Sequence, residues 1–420
     1  MVSMDSIHIQ GGVALQGTVC IQGSKNASLP VLAATLLTKE PSYLYNCPRI
    51  SDVHGMISLL KSLGCHVKWM DGGLCVDAGN LRCADLPAEA IMGMRSSLCL
   101  LGALLGRCGE VIMEQPGGCV IGARPINLHI QALSAMGVEF EQTKERIHAV
   151  TRGLHGADIV LPFASVGVTE NILLAAIMAE GDTTIQGAAR EPEIVALCEY
   201  LEACGADIEG IGTGFLKVKG GRTLYGTEYT IPADRIVAGT YLFGCVGAGG
   251  SVLLKNAPWQ SMGAVLDTAA AMGAQCICGK EGLYVQAPVR PAAIPLLKTV
   301  VYPGFPTDLQ SAALTALAGA DGVSLVEETV FENRFRIVEH LVEMGADIRQ
   351  DGNRKVVING VERLYGKDVE ARELRGGAAL ILAGLMAEGE TTVSGCSYVY
   401  RGYENICKDL RELGARIVSV

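Results

Sequence analysis

Aromatic and charged residues are scarce in this 420-residue chain, at 5% and 19%. A core with so few aromatic rings must be built mainly from Ala, Leu, Val and Ile. Hydrophobic residues still make up 49% of the chain, so the composition excludes a wholly disordered protein. At roughly 100–200 residues per domain, the length predicts two or three domains.

Basic runs and spaced cysteine motifs are also missing. The chain has 34 Lys and Arg against 44 Asp and Glu, a net charge of −10, so a nucleic-acid partner is not expected. Its 15 cysteines include no C-x-x-C pair. The two that lie nearest in sequence, Cys276 and Cys278, form a C-x-C. This argues against a zinc site, a redox motif or a disulfide scaffold. We therefore expect a reducing, cytoplasmic location, with no metal and no cofactor.

Targeting and nucleotide motifs are absent as well. The first ten residues lack the basic and apolar regions of a signal peptide. Residues 236–254 are uncharged and nominally long enough to span a membrane, but they contain five glycines and belong to the repeat described next. We therefore expect no membrane association. G-x-G-x-x-G, P-loop, G-x-S-x-G and H-E-x-x-H patterns do not occur, so nothing indicates a nucleotide triphosphatase, dehydrogenase, α/β-hydrolase or zincin.

A repeat of about 70 residues dominates what is present. Six times, a helix-like segment runs into a glycine and then a β-branched stretch. The shared glycines are Gly64, Gly137, Gly205, Gly273, Gly345 and Gly414. Each pattern predicts a helix that ends at a left-handed glycine and is followed by a strand. A second, Ala- and Leu-rich helix is predicted upstream of each, at 25–37, 95–106, 170–181, 238–250, 307–319 and 374–389.

These upstream helices are apolar all round, which predicts that they are buried on every side. Six such helices cannot share one ordinary core in a chain of this size. We therefore predict an α/β protein of two domains, each with three repeated units, in which sheets lie outside and helix bundles inside.

The loop at 114–130 interrupts the second unit and carries a candidate reactive thiol. Pro-Gly-Gly precedes Cys119, and Arg124 follows closely. A nearby positive charge lowers the pKa of a thiol and makes it a usable acid or nucleophile. The alternative is that Cys119 is simply one of fifteen small apolar residues.

Cationic residues recur at the starts of the apolar helices or in irregular segments beside them. They are Lys25, Arg95, Arg124, Arg334, Arg375 and Arg401. If the repeats bring equivalent ends together, these residues and the helix N-termini predict a site for a small, dense polyanion between the domains. Taken singly, each could be a solvated surface charge. Asp308, after two prolines, is either a helix cap or a base that takes a proton from a substrate hydroxyl.

Seven segments together carry a family resemblance. They are SKNASLP (24–30), PGGCVIGARPINLH (116–129), SVGVTEN (165–171), AAREPEI (188–194), FPTDLQ (305–310), ETVFENRF (328–335) and RGYE (401–404). In this order the chain resembles the UDP-N-acetylglucosamine enolpyruvyl transferases, a branch of the family that also contains EPSP synthase. The resemblance implies a two-domain inverse α/β barrel. One domain would span 22–232, and the other would combine 1–21 with 233–420.

The resemblance also implies a reaction. The family branch transfers the enolpyruvyl group of phosphoenolpyruvate to the 3-hydroxyl of UDP-N-acetylglucosamine and releases phosphate, the first committed step of peptidoglycan precursor synthesis. By motif, Lys25, Arg124 and Arg401 would hold phosphoenolpyruvate, Cys119 would donate a proton, and Asp308 would deprotonate or orient the sugar hydroxyl. The implied contacts to the nucleotide sugar are Asn26, Arg95, Arg124, Pro125, Ile126, Asn127, Leu128, Ser165, Val166, Gly167 and Val330, with Arg334 and Arg375 completing the charged lining.

Four positions depart from the family pattern. Phe163 and Asn127 replace a usual Lys and Asp, Glu373 replaces the Asp of a D-L-R motif, and Tyr400 replaces an Asp before R-G-Y-E. These changes leave two alternatives open. One is a paralogue that uses another nucleotide or sugar acceptor. The other is a copy that binds the nucleotide sugar and regulates, with little turnover.

The Cys119 loop generates a first prediction. We expect fosfomycin, an epoxide that mimics phosphoenolpyruvate, to alkylate Cys119, because Arg124 would activate the thiol. Intact-mass and peptide analysis should locate one adduct there. A Cys119→Asp variant should resist the drug and keep some turnover, since Asp can also donate a proton. An adduct on a different cysteine would contradict the assignment.

Overall fold

The computed structural model describes residues 6–82, 86, 95–115, 122, 125–143 and 145–420, with only the backbone at 95 and 96. These residues form two compact units. One contains 6–22, Gly122 and 233–420, and the other contains the described residues within 23–115 and 125–232. Each unit has its own continuous core of buried aliphatic side chains.

Twelve α-helices occur in the described residues. In chain order they are α1 (Lys25–Ala34), α2 (Ser51–Ser62), α3 (Leu100–Cys108), α4 (Asn127–Ala135), α5 (Val166–Ala176), α6 (Pro192–Ala203), α7 (Arg235–Ala248), α8 (Gly263–Ala271), α9 (Gln310–Ala318), α10 (Val338–Glu343), α11 (Leu374–Met386) and α12 (Ile406–Glu412). Short 3-10 helices lie at Thr35–Leu37, Arg95–Cys99, Trp259–Ser261, Thr307–Leu309, Arg334–Ile337 and Cys396–Arg401.

The strands are short, and many alternate buried and exposed side chains. In chain order they are β1 (Ser6–Gln10), β2 (Leu15–Cys20), β3 (Ser42–Tyr45), β4 (His66–Met70), β5 (Gly73–Asp77), β6 (Glu110–Glu114), β7 (Val138–Gln142), β8 (Arg146–Thr151), β9 (Asp158–Val160), β10 (Asp182–Gln186), β11 (Ile208–Glu209), β12 (Phe215–Lys219), β13 (Glu228–Thr230), β14 (Gly250–Lys255), β15 (Gln275–Gly279), β16 (Gly282–Gln286), β17 (Leu297–Lys298), β18 (Val323–Glu327), β19 (Asp347–Asp351), β20 (Lys355–Asn359), β21 (Asp368–Glu370), β22 (Glu390–Ser394) and β23 (Arg416–Ser419). Alternation of this kind places one face of each strand on the core.

Five four-stranded sheets share one topology. Their orders are β21-β22-β1-β23, β15-β16-β14-β2 and β17-β18-β20-β19 in one unit, and β13-β3-β5-β4 and β11-β12-β10-β9 in the other. Each sheet has one parallel pair of strands at an edge and two antiparallel pairs. In one of these sheets the parallel pair is β2 and β14, in which Leu15 lies opposite Gly250. The sixth sheet, β6-β8-β7, has three strands. Leu86 donates its N–H to Ile112 of β6, where the other sheets have their parallel strand.

The predicted helix stops are confirmed. All six repeat glycines have a positive φ, between 85° and 103°. Glycine adopts this left-handed conformation without the steric cost that a Cβ imposes. Each therefore ends a helix so that the chain can enter a strand.

The segment 236–254 is not one long helix. It divides between α7, which ends at Ala248, and β14. In the described part of the chain, no helix has the length and apolarity that crossing a membrane requires.

The apolar helices pack directly on one another. In one unit α1, α3, α5 and α6 form these contacts, and in the other α7, α9 and α11 do. Gly102 on α3 shows how closely they approach, because a Cβ at that position would collide with the backbone carbonyl oxygen of Asn171 on α5. Asn171 also accepts a hydrogen bond from the Gly102 N–H at 2.7 Å.

Gly102→Ala should therefore destabilise the protein. Overpacking a close-packed core costs about 1–3 kcal/mol, more than the gain in helix propensity of roughly 1 kcal/mol. Gly214→Ala is the matched control, because a Cβ there meets no atom within 4 Å. Thermal unfolding should show a lower melting temperature for Gly102→Ala than for Gly214→Ala. Equal melting temperatures would contradict the packing argument.

Candidate active site

A cluster of four charged side chains, the carboxylate–guanidinium cluster, lies in the unit that contains 233–420. It consists of Asp308, Arg334, Glu373 and Arg375. Arg334 Nη2 lies 2.5 Å from Asp308 Oδ1, and Arg375 Nη2 lies 3.1 Å from Asp308 Oδ2. Arg334 Nη1 is also 3.8 Å from Glu373 Oε2. One carboxylate is thus shared by two guanidinium groups.

Three separate segments supply this cluster. Asp308 lies in the 3-10 turn Thr307–Leu309, which Pro306 precedes in an extended conformation, and not in the α-helix itself. Arg334 begins a 3-10 helix, and Arg375 is the second residue of α11. Proline before a helix pre-sets the chain direction at its start. The prediction that the cationic residues lie at helix starts or in segments beside them is therefore confirmed for Arg334 and Arg375.

Glu373 has a second task, as the N-cap of α11. Its Oε2 accepts a hydrogen bond from the Arg375 N–H at 2.8 Å, and its Oε1 accepts from Gly376 N–H. A carboxylate in this position satisfies unpaired helix donors and interacts favourably with the helix dipole. The departure from Asp at 373 therefore retains a carboxylate that caps the helix and also approaches Arg334.

Both arginines of the cluster are almost fully removed from solvent. Their side chains are 2% and 4% exposed for Arg334 and Arg375, whereas Asp308 is 27% exposed. Burial opposes the charge on Arg375, but Asp308, Tyr403 and Asp234 outweigh it and raise the pKa of Arg375 above its ordinary value. The Arg375 guanidinium therefore stays charged throughout the physiological pH range.

Each guanidinium group also keeps a donor that is not used within the described residues. Arg334 Nε and Arg375 Nη1 are buried and have no hydrogen-bond acceptor there. Buried donors on a charged, planar group suit a carboxylate, phosphate or other oxygen-rich ligand. Asp308, at 27% side-chain exposure, is the most exposed member of the cluster.

Aromatic rings support the two arginines. The Arg334 guanidinium lies 5.4 Å from the Phe331 ring centroid, and that of Arg375 lies 5.9 Å from the Tyr403 ring centroid. Tyr403 is fully buried, and its hydroxyl is 2.7 Å from Thr240 Oγ1. These contacts restrict the arginine rotamers and add cation–π attraction.

The other unit contains a buried ion pair. Lys25, the first residue of α1, places Nζ 2.6 Å from Asp52 Oδ2, with the side chains 13% and 6% exposed. Ser24 caps α1 by accepting a hydrogen bond from the Ala27 N–H. Asn26 follows Lys25 and is half-buried. Sequence reasoning missed Asp52, because an Asp in the first turn of α2 is typical of a helix cap.

The predicted nucleotide-sugar contacts divide between two helix starts in this unit. Asn127 is the first residue of α4 and is exposed, with Pro125 and Ile126 just before it and Leu128 after it. Ser165, Val166 and Gly167 form the start of α5. Asn171 holds the two starts together, because its Nδ2 lies 3.2 Å from His129 Nδ1 and donates to the Gly167 carbonyl at 3.2 Å.

Comparison with known proteins decides the family. The profile of EPSP synthase (3-phosphoshikimate 1-carboxyvinyltransferase) matches residues 9–410. This chain belongs to that family.

Curated relatives within the family match over their whole length. The UDP-N-acetylglucosamine 1-carboxyvinyltransferase of Nitratidesulfovibrio vulgaris (strain Hildenborough) is 44% identical, covering 99% of both chains. UDP-N-acetylglucosamine 1-carboxyvinyltransferase 2 of Caldanaerobacter subterraneus subsp. tengcongensis is 42% identical, covering 99% of this chain and 100% of its own. The recognition of this family branch from sequence motifs is confirmed.

Solved structures show the fold. The enolpyruvyl transferase NikO from Streptomyces tendae has a TM-score of 0.88 at 24% identity and covers 99% of this chain and 98% of its own. EPSP synthase from Acinetobacter baumannii has a TM-score of 0.76 at 20% identity and covers 99% of both chains. The predicted two-domain, mixed α/β fold of the enolpyruvyl transferases is confirmed.

Several residues of the family motifs remain to be placed. Arg401 is the last residue of the 3-10 helix Cys396–Arg401, which packs on α11, and Val330 follows β18. Cys119 and Arg124 lie outside the described residues, as does the side chain of Arg95, whose backbone begins the 3-10 helix Arg95–Cys99. Lys25 and Arg401 belong to different units, so their convergence on one ligand stays a prediction.

The remaining departures from the family pattern differ in burial. Phe163 is 63% exposed, so it replaces a cation without filling the core. Tyr400 is partly buried against the core, and burial raises the pKa of Tyr400 to about 12. In the described residues, no group of three or more His, Cys, Asp or Glu side chains is arranged to hold a metal ion.

Glu170 on α5 is a buried acid close to the predicted nucleotide-sugar contacts. It is 8% exposed, and burial, with Glu193 and Glu191 adding repulsion, raises the pKa of Glu170 to about 8. The folded protein therefore holds a proton on Glu170 between its ordinary pKa of 4.5 and about 8, whereas the unfolded chain does not. Because the folded state keeps this proton and the unfolded state releases it, the free energy of unfolding falls as the pH rises through that window.

Glu170→Gln should remove this loss, because the amide imitates the protonated acid. We expect the melting temperature of the variant to equal that of the unchanged protein near pH 4.5 and to exceed it increasingly up to pH 8, the window set by the pKa of Glu170. Glu202→Gln, an exposed position on α6, serves as the control. A difference that does not change with pH would contradict the assignment.

Proposed function

We propose that this chain transfers the enolpyruvyl group of phosphoenolpyruvate to the 3-hydroxyl of UDP-N-acetylglucosamine and releases phosphate. The observation that carries the proposal is full-length similarity at 42% and 44% identity to two relatives named UDP-N-acetylglucosamine 1-carboxyvinyltransferase. The reaction would be the first committed step of peptidoglycan precursor synthesis. We infer that it takes place in the cytoplasm, where thiols stay reduced, since none of the thirteen described cysteines forms a disulfide.

The chemistry explains why such a site needs clustered cations. Protonation of C3 of phosphoenolpyruvate leaves a cationic C2, which the sugar hydroxyl attacks as it loses its proton. The resulting tetrahedral adduct then loses phosphate and the added C3 proton, which restores the double bond. The site must hold a phosphate and a carboxylate together and stabilise charge that develops during the reaction.

Each residue has a role in this proposal. Lys25, Arg124 and Arg401 would hold the phosphate and carboxylate of phosphoenolpyruvate, and Cys119 would donate the proton to C3. Asp308 would accept the proton of the sugar hydroxyl. Its shared ion pairs with Arg334 and Arg375 support this role, because they hold the carboxylate in one orientation.

The nucleotide-sugar contacts form a second group. They are Asn26, Arg95, Pro125, Ile126, Asn127, Leu128, Ser165, Val166, Gly167 and Val330. Asn127 could accept a hydrogen bond from the uracil N3–H through its amide oxygen. Exposed Phe163 supplies no charge, so binding of the nucleotide would depend on the other contacts.

The finer architecture is also a proposal. We infer six equivalent units in an inverse α/β barrel, with domains at 22–232 and at 1–21 plus 233–420. The shared topology of five sheets and the N–H of Leu86 beside β6 support it, as does the recurrence of a left-handed glycine in all six repeats.

An acceptor-dependent phosphate assay tests the function. We expect phosphate release from phosphoenolpyruvate only when UDP-N-acetylglucosamine is added, with a product heavier by one enolpyruvyl group. Release only with a different nucleotide or sugar would favour the paralogue. Binding of the nucleotide sugar without turnover would favour a regulatory copy. The names of the relatives favour the first outcome.

Asp308→Asn supplies the matched inactive variant for this assay. Loss of a positioned general base should lower turnover by about 10²–10⁴-fold. Asp368→Asn changes an exposed Asp on β21 of the same unit and should leave turnover unchanged. Equal activity of the two variants would contradict the role of Asp308.

A further inference from the structure

Glu328 is a buried carboxylate that the assignment of roles leaves out. It follows β18 directly and is 0% exposed. It stands in the same motif as Val330 and Arg334, and the family resemblance gives it no role. Burying a carboxylate is costly unless donors satisfy its oxygens, so its contacts explain what it does.

Three donors surround the Glu328 carboxylate. Oε1 accepts hydrogen bonds from the backbone N–H groups of Val330 at 2.7 Å and Phe331 at 3.0 Å. Oε2 accepts from Thr307 Oγ1 at 2.9 Å. All three donors are neutral, and together they provide hydrogen bonds to both carboxylate oxygens.

These donors belong to the two segments that carry the candidate chemistry. Thr307 precedes Asp308 in the same 3-10 turn. Val330 is a predicted contact of the nucleotide sugar, and the Phe331 ring lies under the Arg334 guanidinium. One side chain thus joins the segment of the candidate base to the segment that contacts the acceptor and supports its arginine.

We propose that Glu328 is a positioning residue that fixes the distance between Asp308 and the Val330–Arg334 segment. This role presupposes the proposed transfer reaction, because the two segments would hold the base and the acceptor it deprotonates. Glu328 itself touches no reacting atom. A displacement of about 1 Å in such a site can cost about a hundredfold in rate.

Three variants separate this role from others. In Glu328→Gln the amide oxygen can still accept from both backbone N–H groups and the amide N–H can donate to Thr307 Oγ1, so kcat should stay within about threefold. Glu328→Ala loses all three bonds. Its kcat should fall about a hundredfold, and its KM for UDP-N-acetylglucosamine should rise. Thr307→Val cuts only the link to Asp308, so kcat should fall while that KM is unchanged.

A purely structural role gives a different pattern. If Glu328 only stabilised the fold, Glu328→Ala would lower the concentration of folded, active enzyme. The KM values for phosphoenolpyruvate and for UDP-N-acetylglucosamine would then stay unchanged. Val285→Ala, a fully buried position on β16 of the same unit, provides a variant of reduced stability for comparison. Assays run well below all melting temperatures should leave its kcat near that of the unchanged protein. If Glu328→Ala behaves like Val285→Ala, or if Glu328→Gln is as impaired as Glu328→Ala, the proposal is wrong.

Hydrogen exchange tests the same role without any turnover. Amide exchange measured by mass spectrometry should rise in both 305–311 and 328–335 in Glu328→Ala, and in neither segment in Glu328→Gln. Failure of the transfer reaction would appear as absent phosphate release by the unchanged protein, with this exchange pattern intact. Exchange that rises in only one segment in Glu328→Ala would overturn the positioning role.

Discussion

The sharing of Asp308 between Arg334 and Arg375 is the interaction on which the candidate site depends. Both guanidinium groups are nearly inaccessible to water, so each requires a carboxylate close by. The partners come from three segments that are distant in sequence. The pairing can form only if every one of those segments is held in place.

The residues around the cluster meet that requirement. Glu373 caps α11 and thereby fixes the backbone that carries Arg375. Phe331 and Tyr403 lie against the guanidinium groups, and Tyr403 is anchored by the hydroxyl of Thr240. Glu328 joins the Thr307–Leu309 turn to the segment that begins at Val330 through hydrogen bonds to Thr307, Val330 and Phe331. These contacts hold the charged groups in place, although Arg334 Nε and Arg375 Nη1 have no acceptor within the described residues.

The small residues of the apolar helices serve the same end by a different route. Gly102 allows α3 to approach α5 at backbone distance, so that its N–H donates to Asn171 Oδ1 while Asn171 Nδ2 lies 3.2 Å from His129 Nδ1 on α4. The starts of two helices are thereby held next to each other. A core of larger side chains would separate them, so the Ala- and Gly-rich composition has a direct consequence for the predicted nucleotide-sugar contacts.

Glu373 and Asp52 show where prediction from sequence motifs falls short. At position 373 the family motif indicates only that Glu replaces a shorter Asp. The structure shows that Glu373 caps α11 and also approaches Arg334. At 52 an Asp near a helix start resembles a cap, whereas it pairs with Lys25 across two helices. In both cases the partner is distant in sequence, and spacing along the chain carries no information about it.

The sequence by itself determined the helix stops, the buried helices and the class of fold. Those features depend on local rules, namely the left-handed freedom of glycine and the periodicity of apolar residues. Position near helix starts singled out Asp308, Arg334 and Arg375, and resemblance to a family assigned their roles. Only the tertiary structure decided that these three share charges, that Asp52 pairs with Lys25 and that Glu328 joins two loops. Such contacts depend on distances between segments that meet only after the chain has folded.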